Sequence, residues 1–231
     1  MLKLVHYRLC PFSRSVRLAL SELKIEAKLE DERPWEWREG LLALNPSGEL
    51  PVLCSETAAP ICGVYAVSEY LADQHDATAA PSSFRLFPGS HGQRAEARRL
   101  VDWFHGKLDR EVTRPLIEEK VYSRFDPKGA RKPDSETLRN ARANLRYHMR
   151  YMEFLAHDRN WLAGPEPSFA DLCVAAQLSC LDYLDELAWD EQPSARLWYA
   201  RMKSRPSMRT LLAERVPGAP HPPSHYADPD F

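Results

Sequence analysis

Cys10-Pro11-Phe12-Ser13 directly follows the apolar, strand-compatible run Leu2-Lys3-Leu4-Val5-His6-Tyr7, which places one thiol at the start of a helix. Unpaired N–H groups and a partial positive charge at such a position favour thiolate over thiol, the chemistry of a nucleophilic cysteine. Arg14 and Arg17 lie one and two helical turns on and would lower its pKa further only by folding back toward the sulfur. No GxxxxGK[ST] phosphate loop, GxSxG elbow or HExxH zinc motif competes with it. His221 and His225 are four apart, yet Pro222 and Pro223 deny the helix that would align them, so no metal site is expected. The cysteines Cys10, Cys54, Cys62, Cys173 and Cys180 are odd in number and lack CxxC spacing. Reduced thiols are expected, with neither a disulfide framework nor a zinc site.

The elements that would hold Cys10 begin as a βαβ unit. Arg14 to Leu23 carries Val16, Leu20 and Leu23 at helical spacing, and Ile25 to Glu30 alternates like a strand. Leu41, Leu42 and Leu44 end at the turn Asn45-Pro46-Ser47-Gly48, before strand-like Leu50-Pro51-Val52-Leu53. Val64 to Asp73 closes the unit as a helix. Pro, Gly, Ser and His crowd residues 81–92, which read as a linker between an N-terminal domain over 1–80 and a helical domain over 93–216. In the latter, Leu100, Phe104 and Leu108 share a face of a helix that Pro115 should kink or end. A second long helix follows from an N-cap at Asp134 or Ser135. Ser168 and Asp171 have the spacing of a reciprocal cap, and the helix behind them is apolar nearly all round, hence central. Leu197 to Leu212 reads as one more helix. Residues 217–231 hold five prolines and are expected to form an extended tail.

Composition narrows the function classes. With 231 residues, 44% hydrophobic and 28% charged, the chain has the make-up of a soluble globular protein of one core or two small ones. A net charge of −2 gives no global reason to expect nucleic acid or an anionic membrane as partner. No apolar run approaches the roughly 18 residues of a bilayer span, and no charged-then-apolar leader opens the chain. A cytoplasmic location is the expectation.

The order of these elements, with Cys10-Pro-Phe-Ser13, Asn45-Pro-Ser-Gly-Glu-Leu-Pro51-Val-Leu53 and Ser168-Phe-Ala-Asp171, resembles the glutathione S-transferase family from about Met1 to Leu212. The resemblance implies a thioredoxin-like α/β N-terminal domain, an all-α C-terminal domain and a homodimer. It also implies a cis bond before Pro51 that opens the Leu50 backbone to an extended peptide such as glutathione. Read from residues alone, an ordinary edge-strand proline is the lesser alternative at Pro51. One departure stands out. The family grips the γ-glutamyl end of glutathione with an acidic or glutamine residue and a serine at the start of the helix ending in Tyr-Leu, and here Gly63 and Val64 occupy those places ahead of Tyr70-Leu71. Neither side chain makes a charge-assisted hydrogen bond. Each such bond is worth about 1.5–3 kcal/mol, so losing two weakens affinity about a hundredfold or more. Leu50, Pro51, Gly63 and Val64 therefore read as a vestigial cofactor site, Cys10 as a vestigial nucleophile, and no cofactor is expected.

Two functional expectations follow. One is a glutathione-dependent thiol transferase or reductase using Cys10. The other is a non-catalytic binding protein, and over its full length the chain resembles a division-associated branch of the family, which implies a dimer that binds and curves filaments of the tubulin-like GTPase FtsZ at the division site. Features that thiol chemistry does not need supply its candidate contacts. Tyr226, Asp228, Asp230 and Phe231 put aromatic anchors and negative charge on the tail. Trp35 and Trp37 alternate, so one is expected at the surface. Glu119 is a candidate acidic contact, and Arg139, Arg142, Arg146 and Arg150 form a basic stripe on one helix.

Overall fold

Two apolar side chains and a histidine of one short segment set the first layer. Leu4, Val5 and His6 are buried in strand β1 (Leu2–His6), which pairs in parallel with β2 (Ala27–Asp31) across helix α1 (Pro11–Glu22). A computed structural model describes residues 1–56, 58–76, 80, 83–125 and 129–229. After α2 (Glu39–Leu44), β3 (Val52–Cys54) returns antiparallel to β1 and the two-residue β4 (Ile61–Cys62) pairs with β3. The sheet order is β2-β1-β3-β4, with α3 (Val64–Asp76) beside α1. Strand β4 is too short to show the alternation that marks a strand in sequence. The Leu50–Pro51 bond is cis, as the motif implies.

Past residues 83–90, where Leu86 and Phe87 are buried, α4 (His91–Val101) starts from a reciprocal Ser90/Gln93 cap. The helix does not end at Pro115. A π-helical stretch (Asp102–Thr113) carries it into α5 (Arg114–Lys120), and Pro115 sits in the first turn of α5 with Thr113 and Arg114 both helical. The wider turns ahead of the proline let the chain continue where a strictly α-helical ladder would clash. Asp134 caps α6 (Ser135–Asp158) by accepting the Glu136 and Thr137 N–H groups.

All fifteen residues of α7 (Phe169–Tyr183) are buried, which makes it the axis of the helical domain. Its cap is the expected one. The Asp171 carboxylate accepts the Ser168 N–H at 2.9 Å and the Ser168 hydroxyl at 3.1 Å, and its other oxygen accepts the Leu162 N–H at 3.0 Å and the Trp198 indole at 3.3 Å. One helix expected over Leu197 to Leu212 is two, α8 (Pro193–Lys203) and α9 (Pro206–Ala213). Arg205 is extended because the ring of Pro206 disfavours helical backbone in the residue before it. The end of the chain also differs from the extended tail that its prolines predict: it makes a helical turn at Ser224–Ala227 that carries Tyr226 into the core. No described helix is long and apolar enough to cross a membrane.

Candidate functional site

Helix α1 lies along α7, so the N-terminus of α1 opens onto the seam between the two domains. A cleft of about 740 Å³ sits there, with Cys10, Leu50, Gly63 and Val64 in its lining. The size suits a small organic ligand. Cys10 is the N-cap of α1 and its sulfur accepts the Ser13 N–H at 3.5 Å. The expected thiolate does not follow. Burial pushes the Cys10 thiol up, and the Ser13 hydrogen bonds that favour the charged form do not overcome it. Arg14 and Arg17 do not fold back either. Arg17 pairs with Glu214 (2.8 Å), and Arg14 is buried against the Arg8 carbonyl (2.7 Å), Ser179 Oγ (2.8 Å) and Tyr226 Oη (3.1 Å).

Where the family motif puts its γ-glutamyl grip, Gly63 has φ 84°, a backbone that favours glycine, and its N–H is tied to the Pro51 carbonyl at 3.0 Å. Val64 is buried in the core. These two positions thus bring backbone and hydrocarbon to the cleft. The rest of the lining is acidic. Glu49, Asp102, Asp109 and Glu118 face one guanidinium, Arg114, whose Nε bonds Asp109 at 3.0 Å. Burial raises the Asp109 carboxyl to about 6 against the opposing pull of Arg114, and burial raises Glu118 too. His105, enclosed and bonded to Ser15 Oγ (2.9 Å) and Gln177 (3.0 Å), is pushed down by burial to about 3 and stays neutral at pH 7. The lining thus carries more carboxylates than cationic groups. Sequence reading missed this acidity, because Glu49 and the three acids of the helix around residue 110 are far apart in the chain and only the fold gathers them.

The candidate partner residues separate into two groups. Trp37 is at the surface, 61% exposed, and its ring lies over Gly48, where a Cβ would sit 2.7 Å from it. Gly48 is thus required both by its φ of 69° and by that contact. Trp35 faces inward, stacking on Phe125 (5.1 Å between centroids) and packing against Tyr7 and Tyr122. So one of the pair is exposed, as the alternation requires. Tyr226 and Glu119, expected at the surface, are buried. Tyr226 is 1% exposed, with its hydroxyl on Arg14 and its ring edge-on to Tyr183 (5.2 Å), so it is a core residue and not a surface anchor. Glu119 is 7% exposed and joins α5 to the start of α6, taking both Arg131 amines (2.5 and 2.7 Å) and the Asp134 N–H (2.8 Å). Asp228 is at the surface, while Asp230 and Phe231 lie outside the described residues. In the basic stripe, Arg142 is tied to Glu186 at 2.8 and 2.9 Å.

Comparison with known proteins agrees with this fold. Residues 4–79 match the glutathione S-transferase N-terminal domain and residues 113–206 its C-terminal domain. FtsZ-localized protein A of Caulobacter vibrioides is 41% identical over 229 residues, covering 98% of this chain and 96% of that one. Among solved structures, a glutathione S-transferase from Sinorhizobium meliloti 1021 superposes with a TM-score of 0.94 at 46% identity over all of both chains. FzlA from C. crescentus does so with a TM-score of 0.91 at 39% identity, covering 100% of this chain and 99% of that one.

Proposed function

Because the chain belongs to the glutathione S-transferase family in both of its domains, yet brings glycine, valine and a ring of carboxylates to the family's cleft, we propose that it is a non-catalytic member that binds FtsZ filaments. It acts as a homodimer in the cytoplasm, at the division site, and sets the organisation and curvature of those filaments. The observation that carries this reading is the likeness to FtsZ-localized protein A over nearly the whole of both chains. Fold alone would not support it, since one fold serves many functions. A symmetric dimer presents each weak contact twice, so it bridges or bends a polymer through effective concentration instead of strong single contacts. Exposed Trp37 is the primary contact proposed, with Asp228 and the neighbouring Asp230 and Phe231 as secondary ones.

Co-sedimentation with GTP-polymerised FtsZ tests this reading. The wild-type protein and Cys10→Ala should pellet alike, and Trp37→Ala should pellet less. A wild-type protein that stays in the supernatant would overturn it. A second reading, thiol transfer by Cys10, is favoured by the Ser13 N–H on its sulfur and by the likeness to the Sinorhizobium glutathione S-transferase. It requires turnover of a glutathionylated substrate that Cys10→Ala abolishes.

A further inference from the structure

Strand β2 is an edge of the sheet, and no described strand pairs with its outer side. The Glu32 N–H donates to the His6 carbonyl at 2.8 Å, and the parallel register carries that pattern along the strand, so Lys28 and Glu30 turn their backbone groups toward β1. Ala27, Leu29 and Asp31 therefore hold theirs outward. Such edges are ordinarily blunted by a proline, a bulge, or a covering helix or loop. Residues 27–31 contain no proline or glycine, keep an unbroken register, and are exposed at four of five positions. The order of their charges is self-complementary. When a second copy lies antiparallel with Leu29 opposite Leu29, Lys28 of each copy faces Glu30 of the other, at the non-hydrogen-bonded positions where side chains approach most closely. Sliding by two residues, the smallest step that keeps outward groups facing outward groups, sets Lys28 against Lys28 or Glu30 against Glu30. One register alone joins opposite charges. Lys28 has no ion-pair partner among the described residues, and Glu30 makes a surface pair with Lys3 (3.3 Å). At the ends, Asp31 is held by Arg8 (2.6 Å) and Glu32 by Arg38 (3.6 Å), so neither brings a free charge to the seam. The opposite face of the strand supplies apolar area: Leu29, 44% exposed, lines a recess of about 500 Å³ together with Leu18, Ile25, Ala27 and Leu211.

We propose that the outer edge of β2 is a contact surface for a second copy of this chain, the two strands pairing antiparallel about a two-fold axis at Leu29. Two four-stranded sheets then join edge to edge. The contact is isologous, each copy giving the same strand, the same two charges and the same leucine. Where another face also joins two copies, this edge joins pairs into fours. It uses neither the cleft nor the residues proposed to touch FtsZ, so it stands or falls apart from the filament reading.

Sedimentation velocity of the full-length protein without FtsZ, from micromolar to hundreds of micromolar, tests the proposal. The wild type should form an assembly that Leu29→Pro lacks, since proline deletes an outward N–H and leaves the ladder to β1 intact. Lys28→Glu and Glu30→Lys alter exposed side chains, and each replaces two attractive cross-strand pairs by two repulsive ones. Each should weaken the assembly about tenfold. The Lys28→Glu/Glu30→Lys double variant puts opposite charges back in register and should recover most of that loss. Hydrogen exchange over residues 26–31 should slow as the wild-type concentration rises. Leu29→Pro that sediments as the wild type does at every concentration, or a double variant no tighter than the single reversals, would overturn the proposal. So would exchange over residues 26–31 that is independent of concentration, which would move any association to another face.

Discussion

Removing one oxygen atom from Tyr226 should destabilise the whole protein. Arg14 is fully buried, and its guanidinium rests on three neutral acceptors: the Arg8 carbonyl, Ser179 Oγ and Tyr226 Oη. Its second terminal nitrogen is already without a partner among the described residues. In Tyr226→Phe the ring keeps its edge-on contact with Tyr183, so the packing change is small, and a buried charged donor loses its acceptor. Hydrogen bonds to charged groups contribute about 1.5–3 kcal/mol, so the loss should fall in that range, roughly 3–12 °C in Tm for a chain of this size. Tyr226→Ala adds the lost ring and should cost about 3–5 kcal/mol. Urea denaturation followed by tryptophan fluorescence measures both. Replacing Arg14 by Met removes the charge that needs the acceptor, so the Tyr226→Phe effect should largely vanish in the Arg14→Met background. An effect of Tyr226→Phe below about 0.5 kcal/mol, or full additivity with Arg14→Met, would refute the reasoning. One consequence is practical: deleting residues 219–231 removes part of the core, so loss of filament binding in that variant says nothing about a contact surface, whereas Asp228→Asn does.

Other outcomes follow from the same contacts. Asp171→Ala should cost about 3–5 kcal/mol, measured by denaturation, because it strands the buried Ser168 and Leu162 N–H groups together. Stability should fall on acidification below pH 6.5. His105 and His6 are pushed down by burial to about 3 and about 4, so the unfolded chain takes up those protons first and their contribution is lost as pH drops from 6.5 toward these values. Asp109, raised to about 6, works in the opposite sense between its unfolded value of about 3.8 and 6, so Asp109→Asn should steepen the acid loss by up to about 1.4 kcal/mol per pH unit in that window. Denaturation curves from pH 7 to 4 read this directly. Alkylation by iodoacetamide at pH 7.5 should modify Cys10 no faster than free cysteine, since burial raises its pKa, and rapid labelling would show an activated thiol.

Local signals were the legible ones. The caps at Cys10, Asp134 and Ser168/Asp171, the turn before Pro51 and the apolar run of α7 each depend on residues a few positions apart, and each appears in the structure where the pattern puts it. What sequence did not show depends on distance. Tyr226 reads as a surface aromatic until Arg14, 212 residues away, is seen to need its hydroxyl. Glu119 reads as a free acid because its partner Arg131 lies across a loop between helices. Pro115 misleads for a different reason: the π-helical turns before it leave no residue-type signature, so the chain continues through a residue that ordinarily ends a helix.

The central claim is that this family member kept the fold and the position of the thiol while losing the grip on glutathione. Calorimetric titration of the full-length protein with reduced glutathione tests it most directly. No saturable heat should appear up to millimolar ligand, because Gly63 and Val64 offer no ionic contact and the cleft carries more carboxylates than cationic groups. Stoichiometric binding with micromolar affinity would contradict the account and return Cys10 to the centre of an enzyme.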